Sequence, residues 1–182
     1  MCGIVGAVGH YRCGSVLLDA LKRLEYRGYD SSGIVTLDNG QVDLRRAVGK
    51  LMHLEAALAA RPLDGNIGIG HTRWATHGGV SEDNAHPLVA ANRVSIVHNG
   101  IIENHRDIRT RLETAGHQFA SDTDSEVLAH LFVEAFDAGL DAAKATQKIL
   151  AEIEGAYAFA AMATDYPDQL IVARNASPLA VG

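Results

Sequence analysis

Cys2, directly behind the initiator methionine, is the first residue of this chain with a chemistry of its own. Removal of Met1 leaves a thiol and an α-amino group on one residue. The amine, with an unperturbed pKa of about 7.7–8.0, can take the thiol proton near neutral pH without a histidine partner. Cysteine is also among the residues most often simply buried in a strand, and position alone favours that reading. A second cluster, His71-Thr72-Arg73-Trp74-Ala75-Thr76-His77-Gly78, follows an apolar run. Arg73 offers a planar fork suited to a carboxylate, and Thr76 and His77 add hydrogen-bonding groups, whereas the bland alternative is a surface loop with a half-buried Trp74.

Two further clusters carry the same ambiguity. In His98-Asn99-Gly100-Ile101-Ile102-Glu103-Asn104 the Asn-Gly pair fits a hairpin turn. It fits equally an oxyanion site, with the Asn99 side-chain NH₂ and the Gly100 backbone N–H aimed at one oxygen. Residues 121–126, Ser-Asp-Thr-Asp-Ser-Glu, read as a helix N-cap with acidic residues on the helix dipole. An acidic residue from this run set opposite Arg73 would instead give a pocket complementary to an α-amino acid zwitterion. The runs at 26–33 and 84–87, YRGYDSSG and NAHP, are too particular for generic linkers, yet spacing assigns them no role. The nine histidines form no HExxH or CxxC arrangement, so no metal is expected; no GxGxxG or GxxxxGK[ST] occurs, so no nucleotide cofactor is expected either.

These residues need elements to hold them. The apolar, glycine-dotted run over 2–8 predicts a buried strand that ties down the N-terminus. Leu17, Leu18, Leu21 and Leu24 at helical spacing predict an amphipathic helix opened by Gly14 and Ser15 and closed by Gly28. Runs over 33–37 and 41–47, joined by Asp38-Asn39-Gly40, predict a hairpin, and 50–60 a helix stopped by Pro62. Strands are expected over 66–71 and 93–98, each ending in a polar cluster. Helices are expected from Asn104 as cap through Leu112, from Asp124 or Ser125 as cap through Phe136, and over 141–153; strands follow over 156–163 and 169–173. The order argues for an α+β layered sandwich over a parallel βαβ fold.

The composition narrows the function class. At 182 residues, 47% hydrophobic and 21% charged, the chain can bury a continuous core and lies outside the disordered classes. A net charge of −6 with scattered Lys and Arg gives no footprint for nucleic acid. No apolar run approaches the roughly 20 residues of a membrane span and no signal-peptide pattern opens the chain, so a soluble cytoplasmic protein is expected, with its two cysteines, Cys2 and Cys13, reduced. The apolar ending, Pro178 to Gly182, suggests a domain cut short at its C-terminal side.

Taken together, MCGIVGAVG at 1–9, RLEYRGYDSSG at 23–33, HTRWATHG at 71–78, NAHP at 84–87, HNGIIEN at 98–104 and SDTDSEV at 121–127 resemble one family over the whole chain and in the same order. It is the glutaminase domain of the glucosamine-6-phosphate synthases, or glutamine–fructose-6-phosphate aminotransferases (isomerizing), within the class II glutamine amidotransferases. The resemblance implies the N-terminal nucleophile hydrolase fold, a four-layer sandwich of helices, two antiparallel sheets and helices. It implies Cys2 as nucleophile with its own α-amino group as base, Asn99 and Gly100 as oxyanion hole, and L-glutamine as substrate. Arg73 would hold the α-carboxylate with Thr76 and His77 lining the same loop, Asp124 would hold the α-ammonium, and Trp74 and Arg27 would belong to a part that closes over glutamine. It also implies that residues 1–182 are part of one glutaminase domain, and that fructose 6-phosphate binds sugar-isomerase domains outside them, in a homo-oligomeric full-length protein. A glutaminase domain of another class II amidotransferase and a non-catalytic glutamine-sensing module are the alternatives; Cys2 at the processed position argues against the second.

Overall fold

The computed structural model describes residues 2–75 and 78–182. Alternation of apolar side chains builds it as four layers. The first sheet takes β1 (Gly3–Val8), β2 (Ser31–Asp38), β3 (Gln41–Val48) and β4 (Ile67–Arg73) in the order β1-β4-β2-β3, all antiparallel. The second takes β5 (Leu88–Ala90), β6 (Val94–Ile102), β7 (Gly155–Ala163) and β8 (Tyr166–Asn175) in sequence order, also antiparallel.

On β2, Ile34 faces helices α1 (Gly14–Leu24) and α2 (Leu51–Ala60), where it packs with Leu17, Leu21 and Leu54. Its neighbour Val35 points the other way and joins Ile67, Ile69, Val97 and Met162 between the two sheets. On β7, Ala160 and Met162 share that inter-sheet layer, while Phe159 and Ala161 face α3 (His105–Thr114), α4 (Glu126–Asp137) and α5 (Ala142–Glu152). One period-2 pattern thus feeds two cores, and the helices cover the outer faces. Helix α4 is buried nearly all round because it is wedged under its sheet between α3 and α5, its polar residues Glu126, His130, Glu134 and Asp137 falling on one stripe. Phe132 on α4 and Phe159 on β7 are fully buried, with ring centroids 6.1 Å apart in an edge-to-face arrangement. Such a pair adds about 0.5–1.5 kcal/mol beyond area burial.

The α+β sandwich expected from the sequence is therefore the observed architecture. Four details differ. β5 was not expected. β4 and β6 run on through Arg73 and Ile102, so the polar clusters begin inside strands and not after them. The Asn-Gly pair is no hairpin turn, since Asn99 and Gly100 pair with Ala158 and Tyr157 of β7. Neither Asn104 nor Ser125, at the N-caps of α3 and α4, makes a side-chain capping bond. Asn104 instead donates to the Glu152 carbonyl at 2.8 Å and accepts from the Glu154 N–H at 3.0 Å, fastening α3 to the end of α5. Among the described residues no helix is long and apolar enough to cross a membrane.

Candidate active site

Cys2 sits one residue before the Gly3–Thr72 pair that starts the β1–β4 ladder, so the first strand delivers it beside the end of β4. Its sulfur accepts the Trp74 backbone N–H at 3.4 Å, and its carbonyl accepts from Arg27 Nε at 3.2 Å. Burial raises the thiol pKa, and the Trp74 backbone hydrogen bond pulls against that rise. The Tyr29 ring meets the Trp74 ring edge-on at 5.4 Å, and Asp30 accepts the Ala75 N–H through Oδ2 and the Ser31 hydroxyl at 3.0 Å through Oδ1. Gly28 lies against the Arg73 main chain: a Cβ there would fall 2.6 Å from the Arg73 carbonyl carbon. The run at 26–33 thus supports the Trp74 loop from beneath, a role its spacing could not disclose because the contact spans two strands.

Arg73 closes β4 as a buried cation. Its guanidinium donates to the Gly79 carbonyl at 3.1 Å and the Gly78 carbonyl at 3.2 Å. Asn84 of the NAHP run fastens the same loop: Nδ2 donates to the Gly79 carbonyl at 3.0 Å, and Oδ1 accepts the Asp122 N–H at 2.8 Å. The Arg73 loop and the acidic run are therefore bolted together. Thr76 and His77 lie outside the described residues.

From the second sheet, β6 brings Asn99 and Gly100. Gly100 has φ +141°, and a Cβ on it would lie 2.1 Å from the Ala156 carbonyl oxygen, so only glycine fits this backbone against β7. Asp124 is buried with its Oδ2 accepting the Ile102 N–H at 2.8 Å, which fixes the acidic run to the end of β6. Glu126, not a cap serine, organises that run: its carboxylate accepts the Ala120 and Ser121 N–H groups at 2.8 and 2.7 Å and the Ser121 hydroxyl at 2.6 Å. Burial pushes the Glu126 pKa up, but these donors and His130 outweigh it and the net shift is downward.

Cys2, Arg73, Trp74, Asn99, Gly100 and Asp124 line one cleft of about 380 Å³. Arg27 stands at its rear, on an adjoining hollow that also touches Cys2 and Asn99. A thiol thus faces a space bounded by one cationic and one anionic side chain, together with the amide side chain of Asn99. That combination suits a small zwitterion with an electrophilic carbon. A groove of equal size between α1 and α2, lined by Leu18, Leu58 and Leu63 among others, contains none of the motif residues.

Two antiparallel sheets between helical layers, with a cysteine at the head of the first strand, define an N-terminal nucleophile type amidotransferase fold. Residues 71–181 match the glutamine amidotransferase domain family, and the chain belongs to that family. It is 53% identical over all 182 residues to the glutamine–fructose-6-phosphate aminotransferase [isomerizing] of Mesorhizobium japonicum and 52% identical to that of Zymomonas mobilis. In both cases the match covers 100% of this chain and 30% of the relative, so the chain spans about a third of these relatives' length. Among solved structures, the allosteric regulatory enzyme of purine biosynthesis superposes with TM-score 0.83 and 28% identity over 96% of this chain and 37% of that one. The glutamine phosphoribosylpyrophosphate amidotransferase of B. subtilis gives TM-score 0.77 and 27% identity over 90% of this chain and 35% of that one.

Proposed function

We propose that the chain is a glutaminase domain that cleaves L-glutamine through a Cys2 thioester and that, within a longer protein, its ammonia serves glucosamine 6-phosphate synthesis from fructose 6-phosphate. The observation that carries this reading is the convergence of Cys2, Arg73, Asn99, Gly100 and Asp124, from both sheets, on one cleft. Met1 is removed and the freed Cys2 amine takes the thiol proton. The sulfur attacks the amide carbon of glutamine, and the negative charge on the carbonyl oxygen is met by the Asn99 side chain and the Gly100 N–H. The amine returns its proton to the departing nitrogen as the C–N bond breaks, releasing ammonia. Water, deprotonated by the same amine, then attacks the γ-glutamyl thioester; the C–S bond breaks to give glutamate, and the proton returns to sulfur.

Arg73 pairs with the α-carboxylate of glutamine, Asp124 with the α-ammonium, and Thr76 and His77 add hydrogen bonds from the Arg73 loop. Trp74 and Arg27, both bonded to Cys2 through backbone or side chain, belong to the part that closes over the substrate. The synthase step accords with the names of the aminotransferases above, and the binding of fructose 6-phosphate on sugar-isomerase domains outside these residues and homo-oligomeric assembly are carried over from the family resemblance. Soluble cytoplasmic residence accords with the reading.

The test is intact mass and glutamine hydrolysis on one preparation. A chain lacking Met1 is expected to form glutamate and ammonia, and a chain retaining it to be nearly inactive, because the Cys2 nitrogen is then an amide. Full activity with Met1 in place overturns the mechanism. Residues 1–182 alone should make no hexosamine phosphate when given fructose 6-phosphate.

A further inference from the structure

We infer that His98 is a positioning residue of this site, joined through Ser125 to Asp124 and through His71 to the first sheet, so that the two sides of the cleft are held in one register. The inference rests on the glutaminase reading and adds residues that no motif role had taken up.

The hydrogen bonds run through three segments that are far apart in sequence. His71, on β4 two residues before Arg73, places Nε2 3.0 Å from the His98 carbonyl oxygen, across the inter-sheet layer. That carbonyl belongs to the peptide unit whose N–H is that of Asn99, so the contact restrains the plane from which Asn99 projects. The His98 ring holds the third segment: its Nδ1 lies 2.7 Å from Ser125 Oγ, and the Ser125 hydroxyl lies 3.4 Å from Asp124 Oδ1. All four side chains are buried.

The direction of each bond follows from what its partner can do. A carbonyl only accepts, so His71 carries its proton on Nε2. A carboxylate only accepts, so Ser125 donates to Asp124, and His98 Nδ1–H in turn donates to Ser125 Oγ. Donor after donor thus points toward the Asp124 charge, an order in which each bond polarises the next. With Asp124 Oδ2 already on the Ile102 N–H, both its oxygens are directed by β6 and the residues bonded to it. The carboxylate is thereby fixed relative to Asn99, one residue beyond His98.

A histidine that only fills space would tolerate an apolar replacement of similar bulk, whereas a positioning histidine needs its Nδ1–H. The experiment compares His98→Leu, His98→Asn, Ser125→Ala and Ser125→Thr in the natural gene product, reading kcat and KM for glutamine, Kd for glutamate and thermal midpoint. Asn can present an N–H near the position of Nδ1, and Thr keeps the hydroxyl. Expected is a loss of about 10- to 100-fold in glutamate affinity and in kcat/KM for His98→Leu and Ser125→Ala, as for a hydrogen bond to a charged group. Rescue to within about threefold is expected in His98→Asn and Ser125→Thr, and the double variant His98→Leu/Ser125→Ala should be no worse than its worse single, because both cut one chain.

Glutamate affinity within twofold of the parent in Ser125→Ala, or losses in Leu and Asn variants that are equal and follow the thermal midpoint, overturns the positioning role. Should His98→Leu not fold, the Ser125 pair decides alone. A parent that neither hydrolyses glutamine nor binds glutamate overturns the glutaminase reading and this inference together; a parent that does both while Ser125→Ala is unchanged overturns this inference only.

Discussion

The backbone N–H of Trp74 meets the sulfur of Cys2 at 3.4 Å although the two residues stand 72 positions apart. Trp74 follows Arg73 directly, so the loop that presents the guanidinium also touches the Cys2 thiol. Displacing that loop would disturb both the thiol and the Arg73 side of the cleft. Tyr29 and Asp30, just before β2, hold the loop, which gives these two residues of the YRGYD run a physical role in supporting it.

Cys2→Ala is expected to reduce glutamine hydrolysis to below about 1% of the parent, while glutamate affinity stays within about threefold, because the proposed function assigns zwitterion recognition to other side chains. Turnover assays alongside calorimetric glutamate binding check both halves. Retention of more than a few per cent of turnover would remove Cys2 from the nucleophile role.

Asn99→Ala should lower kcat by about 10²–10³ and leave KM nearly unchanged, since in the proposed mechanism its donor acts on charge that exists only in the transition state. Steady-state kinetics decide the matter, and an effect confined to KM would make Asn99 a ground-state binding residue.

Arg73→Ala and Asp124→Ala each remove a charged group proposed to pair with the zwitterion, and glutamate affinity should fall by about 10- to 100-fold in each. Asp124→Asn is the milder companion, because it keeps an acceptor for the Ile102 N–H while losing the charge. A variant that binds glutamate as tightly as the parent would show that the zwitterion lies elsewhere.

Gly100→Ala places a methyl 2.1 Å from the Ala156 oxygen at a φ of +141°. Backbone strain and overpacking together should cost about 2–5 kcal/mol of folding stability, readable as a lower urea midpoint. Activity should fall with it, because β6 must shift away from β7 to make room. An unchanged midpoint would show that the strand pairing at Gly100 is looser than described.

Acid should weaken the fold well above the carboxylate range. Burial lowers the pKa of His71 to about 3 and of His98 to about 4, and holds His86 well below the ordinary histidine value. Below about pH 6.5 the unfolded chain takes up protons on these rings and the native chain does not, so stability is complete above that pH and falls as the pH drops toward 4. Urea midpoints should be nearly level from pH 7.5 to about 6.5 and decline from there to pH 5. A flat profile over that interval would mean that the three rings are not buried in their neutral form.

Much of this protein was legible in its residues alone. Period-2 apolar runs gave strands, the leucine spacing over 17–24 gave α1, and Asp38-Asn39-Gly40 gave the hairpin between β2 and β3, because these signals arise within a few neighbouring residues. The reactive types were legible as well: a cysteine at position 2, an arginine loop, an Asn-Gly pair and an acidic run. Tertiary structure alone decided their relation. The Asn-Gly pair could equally have been a turn, and it became a strand segment because β7 pairs across it and the Ala156 carbonyl tolerates nothing larger than hydrogen at position 100. The acidic run could have capped α4, but Asp124 turned to the Ile102 N–H and Glu126 to the Ala120 and Ser121 N–H groups. Local spacing cannot choose between such partners: the Ile102 N–H stands on β6 and the Ala156 carbonyl on β7, and they reach Asp124 and Gly100 only when the second sheet has paired and α4 has packed against it.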